Sequence, residues 1–285
     1  MRPATRTGLL LAFTILLAWL FSLAGLVVVD LSRLSWQLVL LAVFGRTFLQ
    51  TGLFIVGHDA MHGTLWPERK RWNHRIGALA LQLYAALPYR ACCRNHHHHH
   101  LAPGSVLDPD GPPHPNSGVV SWYIRFMAGY LSWPQMTRLL GGWTLLALVA
   151  QVMSVAAIST GIASSVSAAN GMSAANDMSP ASSVISAISK VLLFYSLPLL
   201  LSSLQMFAFG TYFPHRKHRH TQGLAAIESL NLSAPLSLLA CYHFGYHREH
   251  HQWPDLAWFE LPERRSSALA TANPLRSSSR WAKQI

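Results

Sequence analysis

The chain has 285 residues, of which 51% are apolar and only 12% charged, where a soluble domain carries about a quarter charged residues. That deficit excludes an ordinary water-soluble globule and points to lipid-facing surface. The formal charge of +11 raises a nucleic-acid partner as a question, and the placement of the charges answers it.

Taken in chain order, Gly8 to Val29 is apolar and uncharged, long enough for the roughly 20 residues that cross a bilayer. Arg2 and Arg6 precede it, but the apolar run is too long for a signal peptide and lacks a small-x-small cleavage site, so a retained helix is expected. Leu34 to Gly57 forms a second span, interrupted by Arg46. Ile76 to Leu87 is too short to cross and reads as an interfacial helix. Pro103 to Pro115 holds five prolines and must be a turn-rich loop. Leu139 to Ile158 is a third span and Val184 to Phe209 a fourth, with Lys190 near its start. Between them, residues 160–183 are rich in Ser, Ala and Gly and read as an external loop. After Pro262 the chain turns polar, so 262–285 is expected to be a disordered tail and 1–261 a single domain.

The basic residues sort by side. Arg69, Lys70, Arg71 and Arg75 follow the second span, and Arg90, Arg94, Arg125 and Arg138 precede the third. Arg216, Lys217 and Arg219 follow the fourth, and Arg264, Arg265, Arg276, Arg280 and Lys283 lie in the tail. Residues 160–183 contain neither Lys nor Arg. This is the positive-inside pattern of a chain with both termini in the cytosol. The charge is topological, and no nucleic acid is implied. Arg69, Lys70, Arg71, Arg216 and Lys217 are read as membrane anchors, with docking of an acidic partner as their alternative use.

Three histidine clusters fall at the cytosolic ends of these spans: His58-Asp-Ala-Met-His62, the unbroken run His96 to His100, and His247-Arg-Glu-His250-His251. Successive helical residues advance by about 100°, so positions i, i+3 and i+4 share a stripe. His96, His99 and His100 then share one face, as do His247, His250 and His251, while His98 points away. With His58 and His62 this gives eight metal-ligand candidates, and His215, where the fourth span meets the cap, is a ninth. His97 at the edge of its stripe is weaker. So is His243, which joins the third stripe only if a helix runs through Gly245. His218 and His220, in a basic stretch after His215, are less favoured as ligands, and His74 and His114 read as surface residues. Structural zinc needs four ligands; eight or more imidazoles suggest two metals of higher coordination number, which suits iron.

Metal-bound His passes its second ring N–H to a carboxylate or carbonyl, and Asp59, Asp108, Asp110, Glu249 and Asp255 are the acids nearest the clusters. Turn chemistry around Pro109 explains Asp108 and Asp110 equally well. Cys92, Cys93 and Cys241 read as buried apolar thiols, not a disulfide framework. The fold expected is an all-α integral membrane protein, with four transmembrane helices, an interfacial helix and a cytosolic histidine-rich cap. A metal transporter or sensor is the reading from another class, but transporters place ligands near the bilayer midplane.

The order HxxxH, HxxHH, HxxHH after hydrophobic hairpins resembles the membrane desaturase–hydroxylase superfamily. The strings GLFIVGHDAMHGTL, NHHHHHLAPGSVLDPD, FGTYFPHR and YHFGYHREHHQWPDLAWFELP resemble, more narrowly, the β-carotene ketolases. The resemblance implies a non-heme diiron oxygenase, with the nine histidines as iron ligands and catalytic residues and with dioxygen as co-substrate. It implies ketone formation at C4 and C4′ of the β-ionone rings, from β-carotene through echinenone to canthaxanthin, or from zeaxanthin to astaxanthin. A ferredoxin-like donor would supply electrons, and a bacterial cytoplasmic-type membrane would hold the enzyme. Fatty-acyl desaturases and carotenoid or alkane hydroxylases share the histidine spacing and stay as alternatives. One departure stands out: Gly111 follows Asp110 where members of the family commonly carry an aromatic residue.

Overall fold

The computed structural model describes residues 1–31, 34–114, 116–159, 180–217 and 221–272. Among the described residues every regular element is a helix. In chain order these are α1 (Pro3–Val28), α2 (Trp36–Met61), α3 (Lys70–Ala85), α4 (Tyr89–Leu101), α5 (Val119–Tyr130) and α6 (Trp133–Ser159). A continuous helical run follows: α7 (Pro180–Val191), a π-helical stretch Leu192–Ser196, α8 (Leu197–Met206), a second π stretch Phe207–Tyr212, and α9 (Phe213–His215). The cap ends with α10 (Ala234–Cys241), α11 (His247–Gln252) and α12 (Leu261–Ala272).

Four helices are long and apolar enough to cross a membrane: Pro3–Val28, Trp36–Met61, Trp133–Met153 and Ser182–His215. Their apolar residues are not all turned inward. Leu10, Phe13, Leu20 and Phe21 of α1 are exposed, as are Leu41 and Phe44 of α2, as expected of surface meant for lipid. Each of the four expected spans lies largely within one of these helices. Two extend at the end that matters: α2 runs on to carry His58, and the fourth reaches His215. Residues 160–179, His218 to His220 and the part of the expected tail from 273 to 285 lie outside the described residues.

The chain divides into two compact units, one of Met1–Phe13, Thr51–Leu131 and Ser203–Ile285, the other of Thr14–Gln50 and Ser132–Ser202. The second unit explains how an arginine sits within a span. Arg46 is buried, and its guanidinium donates to the carbonyls of Phe194 at 2.9 Å and Trp19 at 2.6 Å and to Ser22 Oγ at 2.9 Å. It also lies 4.9 Å from the Trp19 ring centroid. Pro198 has no N–H to offer Phe194, four residues earlier, so the arginine occupies a carbonyl that the helix leaves open. The second π stretch likewise leads into a proline, Pro214, whose missing N–H faces Gly210.

In the first unit, α2 and α3 meet through glycine. A Cβ at Gly77 would lie 2.4 Å from the Cβ of Ala60, and one at Gly57 would lie 2.6 Å from Leu81 Cδ2. Only small residues permit that approach, and it sets α3 against the turn of α2 that bears His58. Asn73 locks the contact by donating to the Ala60 carbonyl at 2.7 Å while accepting the Trp66 N–H at 3.0 Å. The left-handed Ala86 (φ 54°) ends α3, and Pro88 opens α4.

Two elements differ from the sequence reading. Helix α5 was not anticipated. Its Trp122 is fully buried, whereas Val120 and Ile124 on the opposite side are exposed. A twelve-residue helix with one polar-bonded face is easily mistaken for loop when Pro and Gly precede it. The other correction concerns the tail, expected to be disordered from residue 262. Instead the chain forms α12 over Leu261–Ala272, with Pro262 and Glu263 in its first turn, where both residue types favour a helix start.

Candidate metal centre

The histidine motifs of α2, α4 and α11, with the end of the fourth span, gather into two groups. His58, His62, His96, His100 and His250 form one, and His99, His215, His247 and His251 form the other. Within each group the nitrogen atoms all lie within 4.8 Å of one another. The sorting follows from helix geometry. In an HxxHH motif the first and last rings lie about 40° apart, and the middle ring is turned about 100° from the last. Helix α4 therefore gives His96 and His100 to the first group and His99 to the second. Helix α11 does the reverse, giving His247 and His251 to the second and His250 to the first. The single converging face expected for each motif is thus split between two sites.

The Nε2 atoms face one another. His62 and His96 approach to 2.7 Å and His100 and His250 to 2.9 Å. In the second group, His251 Nε2 lies 3.1 Å from those of both His99 and His247. His58 packs its ring 4.4 Å from that of His96 and 4.7 Å from that of His250. Neither of its buried nitrogens has a hydrogen-bond partner, and neither do His215 Nε2 and His247 Nδ1. Leaving such atoms unpaired in a dry interior is costly. Burial, then the neighbouring rings, disfavours the charged forms. His62 is pushed down to about 3 and His100 to about 2, and His96, His247, His250 and His251 are held well below the ordinary imidazole range. Neutral imidazoles with lone pairs converging on a common point are what a metal ion requires. The residues present therefore fit two ions held by nitrogen, with five rings around one and four around the other.

Of the five acids singled out from sequence, Asp108 alone among the described residues hydrogen-bonds a ring of either group. His99 Nδ1–H donates to its Oδ1 at 2.8 Å, leaving Nε2 to face the site. The carboxylate also accepts the N–H of Gly104 at 2.8 Å and of Asp110 at 2.9 Å. Burial opposes both charges, but the hydrogen bond and mutual attraction win, raising His99 above and holding Asp108 below their ordinary values.

Asp110 lies behind this pair. Tyr130 donates to its side chain at 3.4 Å, and Trp122 Nε1–H donates to its carbonyl at 2.8 Å. Burial first, then Asp108, pushes it up to about 6, against the pull of His99 and Tyr130. Asp59 accepts the Trp258 N–H at 3.4 Å and stands 3.8 Å from His58 Nδ1, too far for a hydrogen bond. Glu249 is bound by Arg265 at 3.0 Å and by Ser229. Asp255 is exposed and belongs to neither group. A Cβ at Gly111 would lie 3.2 Å from the Asp108 carbonyl oxygen, so a side chain there would crowd the acid that orients His99.

The weaker histidines fall outside both groups. His97 is exposed and donates to the Met61 carbonyl at 3.1 Å. His243 does not extend α11, because it and Tyr242 adopt left-handed backbone (φ 64° and 47°) that breaks the helix. Its ring stacks on Tyr246 instead, at 5.6 Å. His74 bonds Tyr89 and is exposed. Cys92, Cys93 and Cys241 are free, and burial pushes the Cys92 thiol up to about 12. Sequence reasoning missed Ser229 and Tyr130, and read Trp122 as an aromatic of the cap and Arg265 as a tail cation; all four hold the acids and not the metal sites.

Apolar membrane-length helices together with two multi-histidine groups that could each hold a metal ion mark a histidine-rich class of membrane proteins. The chain belongs to the fatty acid desaturase family, whose model matches residues 34–278. It is 33% identical to a β-carotene ketolase of Paracoccus sp. over 92% of this chain and 93% of that protein. A β-carotene ketolase from a second Paracoccus strain is 32% identical over 81% of this chain and 80% of its own length. A zeaxanthin 4-ketolase of Chlamydomonas reinhardtii is 34% identical over 89% of this chain and 50% of that longer protein.

Proposed function

We propose that this protein is a membrane carotenoid 4-ketolase, an oxidoreductase that places keto groups at C4 and C4′ of β-ionone rings. The observation that carries the reading is the similarity, across nine-tenths of the chain, to a β-carotene ketolase. The two histidine groups separate an oxygenase from a carrier, because they lie at helix ends and in the cap instead of along a transport path. Residues 1–272 would act as one oxygenase domain, in a bacterial cytoplasmic-type membrane with the site on the cytosolic face. The excess of Lys and Arg on that side supports the orientation.

The nine histidines would hold two irons, one in each group. Bound iron supplies the activation of dioxygen needed to break an allylic C–H bond and deliver oxygen there. Each round at C4 consumes one dioxygen, two electrons and two protons and releases one water. A second round at the same carbon gives a gem-diol, which loses water to leave the ketone. β-Carotene would pass through echinenone to canthaxanthin, and zeaxanthin to astaxanthin.

The chain's own residues bind and orient. Asp108 fixes the tautomer of His99, and buried rings exclude water from the metal groups. An aromatic cluster of Trp122, Tyr123, Phe126, Phe207 and Tyr212, with ring centroids 5.2–6.2 Å apart, offers an apolar wall beside Asp110 for a ring arriving from lipid. Electrons must come from outside, and a ferredoxin-like donor suits the exposed cations Arg69, Lys70 and Arg71. Lys217 is less free for this, since it pairs with Glu228 at 3.0 Å.

The test is pigment analysis in a bacterial host that accumulates β-carotene, with the intact chain and with His99→Ala. Echinenone and canthaxanthin formed only by the intact chain support the reading. Hydroxylated carotenoids would move the protein to a hydroxylase, and unchanged pigment beside altered acyl chains would move it to a desaturase.

A further inference from the structure

Two of the three histidine motifs carry an acid inside them, Asp59 in HDAMH and Glu249 in HREHH. Neither acid hydrogen-bonds a histidine ring among the described residues. Both are bound instead by one C-terminal segment: the Trp258 N–H reaches Asp59 Oδ2 at 3.4 Å, and Arg265 Nη1 reaches Glu249 Oε1 at 3.0 Å. Glu249 is almost fully buried, and the Arg265 side chain is only 18% exposed. The segment also seats itself. Glu260 accepts the Ala257 N–H at 2.9 Å, and the Trp258 ring lies 5.1 Å from Tyr242 and 5.9 Å from His243.

Helix α11 needs such ties. It has six residues, far below the length at which a helix holds itself, yet it supplies His250 to one group and His247 and His251 to the other. Its remaining charged anchor is Glu249, held from one side by Ser229 and from the other by Arg265. Ser229 Oγ also accepts the Arg248 N–H at 3.0 Å, closing the start of the helix.

We propose that residues 257–265 form a strap that positions the histidine motifs, with Arg265 as a positioning residue for α11 through Glu249. The inference rests on metal binding by the histidine groups and extends it to a segment that runs from the cap into the stretch whose composition reads as tail. Among the described residues Arg265 bonds Glu249 and no histidine of either group. It acts by fixing the carboxylate around which the three histidines of α11 are arranged.

The experiment is anaerobic titration of purified full-length protein with Fe(II), following iron per chain and the half-saturating concentration, with helix content measured alongside. Arg265→Met is expected to raise half-saturation by about tenfold, the lower end of what outer partners of metal ligands contribute. Glu249→Gln should do the same, and the double variant should do little more than either, because both remove one interaction. Arg265→Lys should recover most of the loss. Arg264→Met, on the same helix but set over Trp253 at 5.7 Å, should match wild type. Unshifted half-saturation in Arg265→Met would overturn the strap, as would additive losses in the double variant. Should Arg265→Met fail to fold, the comparison of Glu249→Gln with Arg265→Lys decides: a loss in the first and none in the second supports the proposal, and no loss in either overturns it. Wild-type protein that binds no iron would instead overturn the metal reading, whatever the variants do.

Discussion

Replacing Asp108 by Asn is the sharpest perturbation of the metal centre, because it removes a charge while keeping the shape. Three donors converge on this carboxylate, His99 Nδ1–H and the N–H groups of Gly104 and Asp110, all within 2.9 Å. Asn has one oxygen in place of two, so its NH2 must face at least one of those donors. The pair is buried, with side-chain exposures of 2% and 1%, and water cannot compensate. Losing one charge-assisted hydrogen bond there costs about 1.5–3 kcal/mol, which is roughly 10- to 150-fold in an equilibrium constant. The loss should appear in the group that contains His99. Anaerobic Fe(II) titration of Asp108→Asn should therefore show one site at wild-type affinity and one weakened by that factor, with Asp255→Asn as an unshifted control. Two sites of unaltered affinity would refute the argument that Asp108 prepares His99 for a metal.

Three further outcomes are expected. His250→Ala and His215→Ala, one from each group, should each lower bound iron from two per chain toward one, whereas His97→Ala should leave two; elemental analysis of purified protein checks this. Metal-free protein should lose stability as pH falls below about 6.5. The buried rings of His62, His96, His100, His247, His250 and His251 resist protons that the unfolded chain accepts, so the unfolded state binds more protons and stability rises with pH. Each ring adds up to about 1.4 kcal/mol per pH unit, and a melting temperature that stays flat from pH 7 to pH 5 would contradict this. Gly77→Val should destabilise the first unit by about 1–3 kcal/mol, because its Cβ has no room against Ala60 and Tyr89; thermal unfolding in detergent measures it.

Much of the site was legible because helices convert spacing into direction. The i, i+4 pairs His58/His62, His96/His100 and His247/His251 could be placed from sequence. What spacing does not contain is the crossing of one helix with another. It could not show that the HxxHH motifs of α4 and α11 share their rings in opposite proportions between two groups. Nor could it exclude His243 from the third stripe, since that depended on left-handed backbone at Tyr242 and His243. Of five acids near the histidines, proximity in sequence selected none in particular, and only the turn at Gly104 brings Asp108 onto His99. Composition misled at the C-terminus, where a Ser- and Arg-rich stretch looks disordered until Arg265 is seen to bind a buried carboxylate in another motif.

The most direct test of the account is turnover by the purified protein. Iron-loaded protein in lipid nanodiscs, supplied with β-carotene and a reduced ferredoxin, should form echinenone and then canthaxanthin in air and neither under argon. The same preparation of His99→Ala should form no ketone in either atmosphere. Iron-loaded, reduced wild-type protein that leaves β-carotene unchanged in air would contradict the assignment.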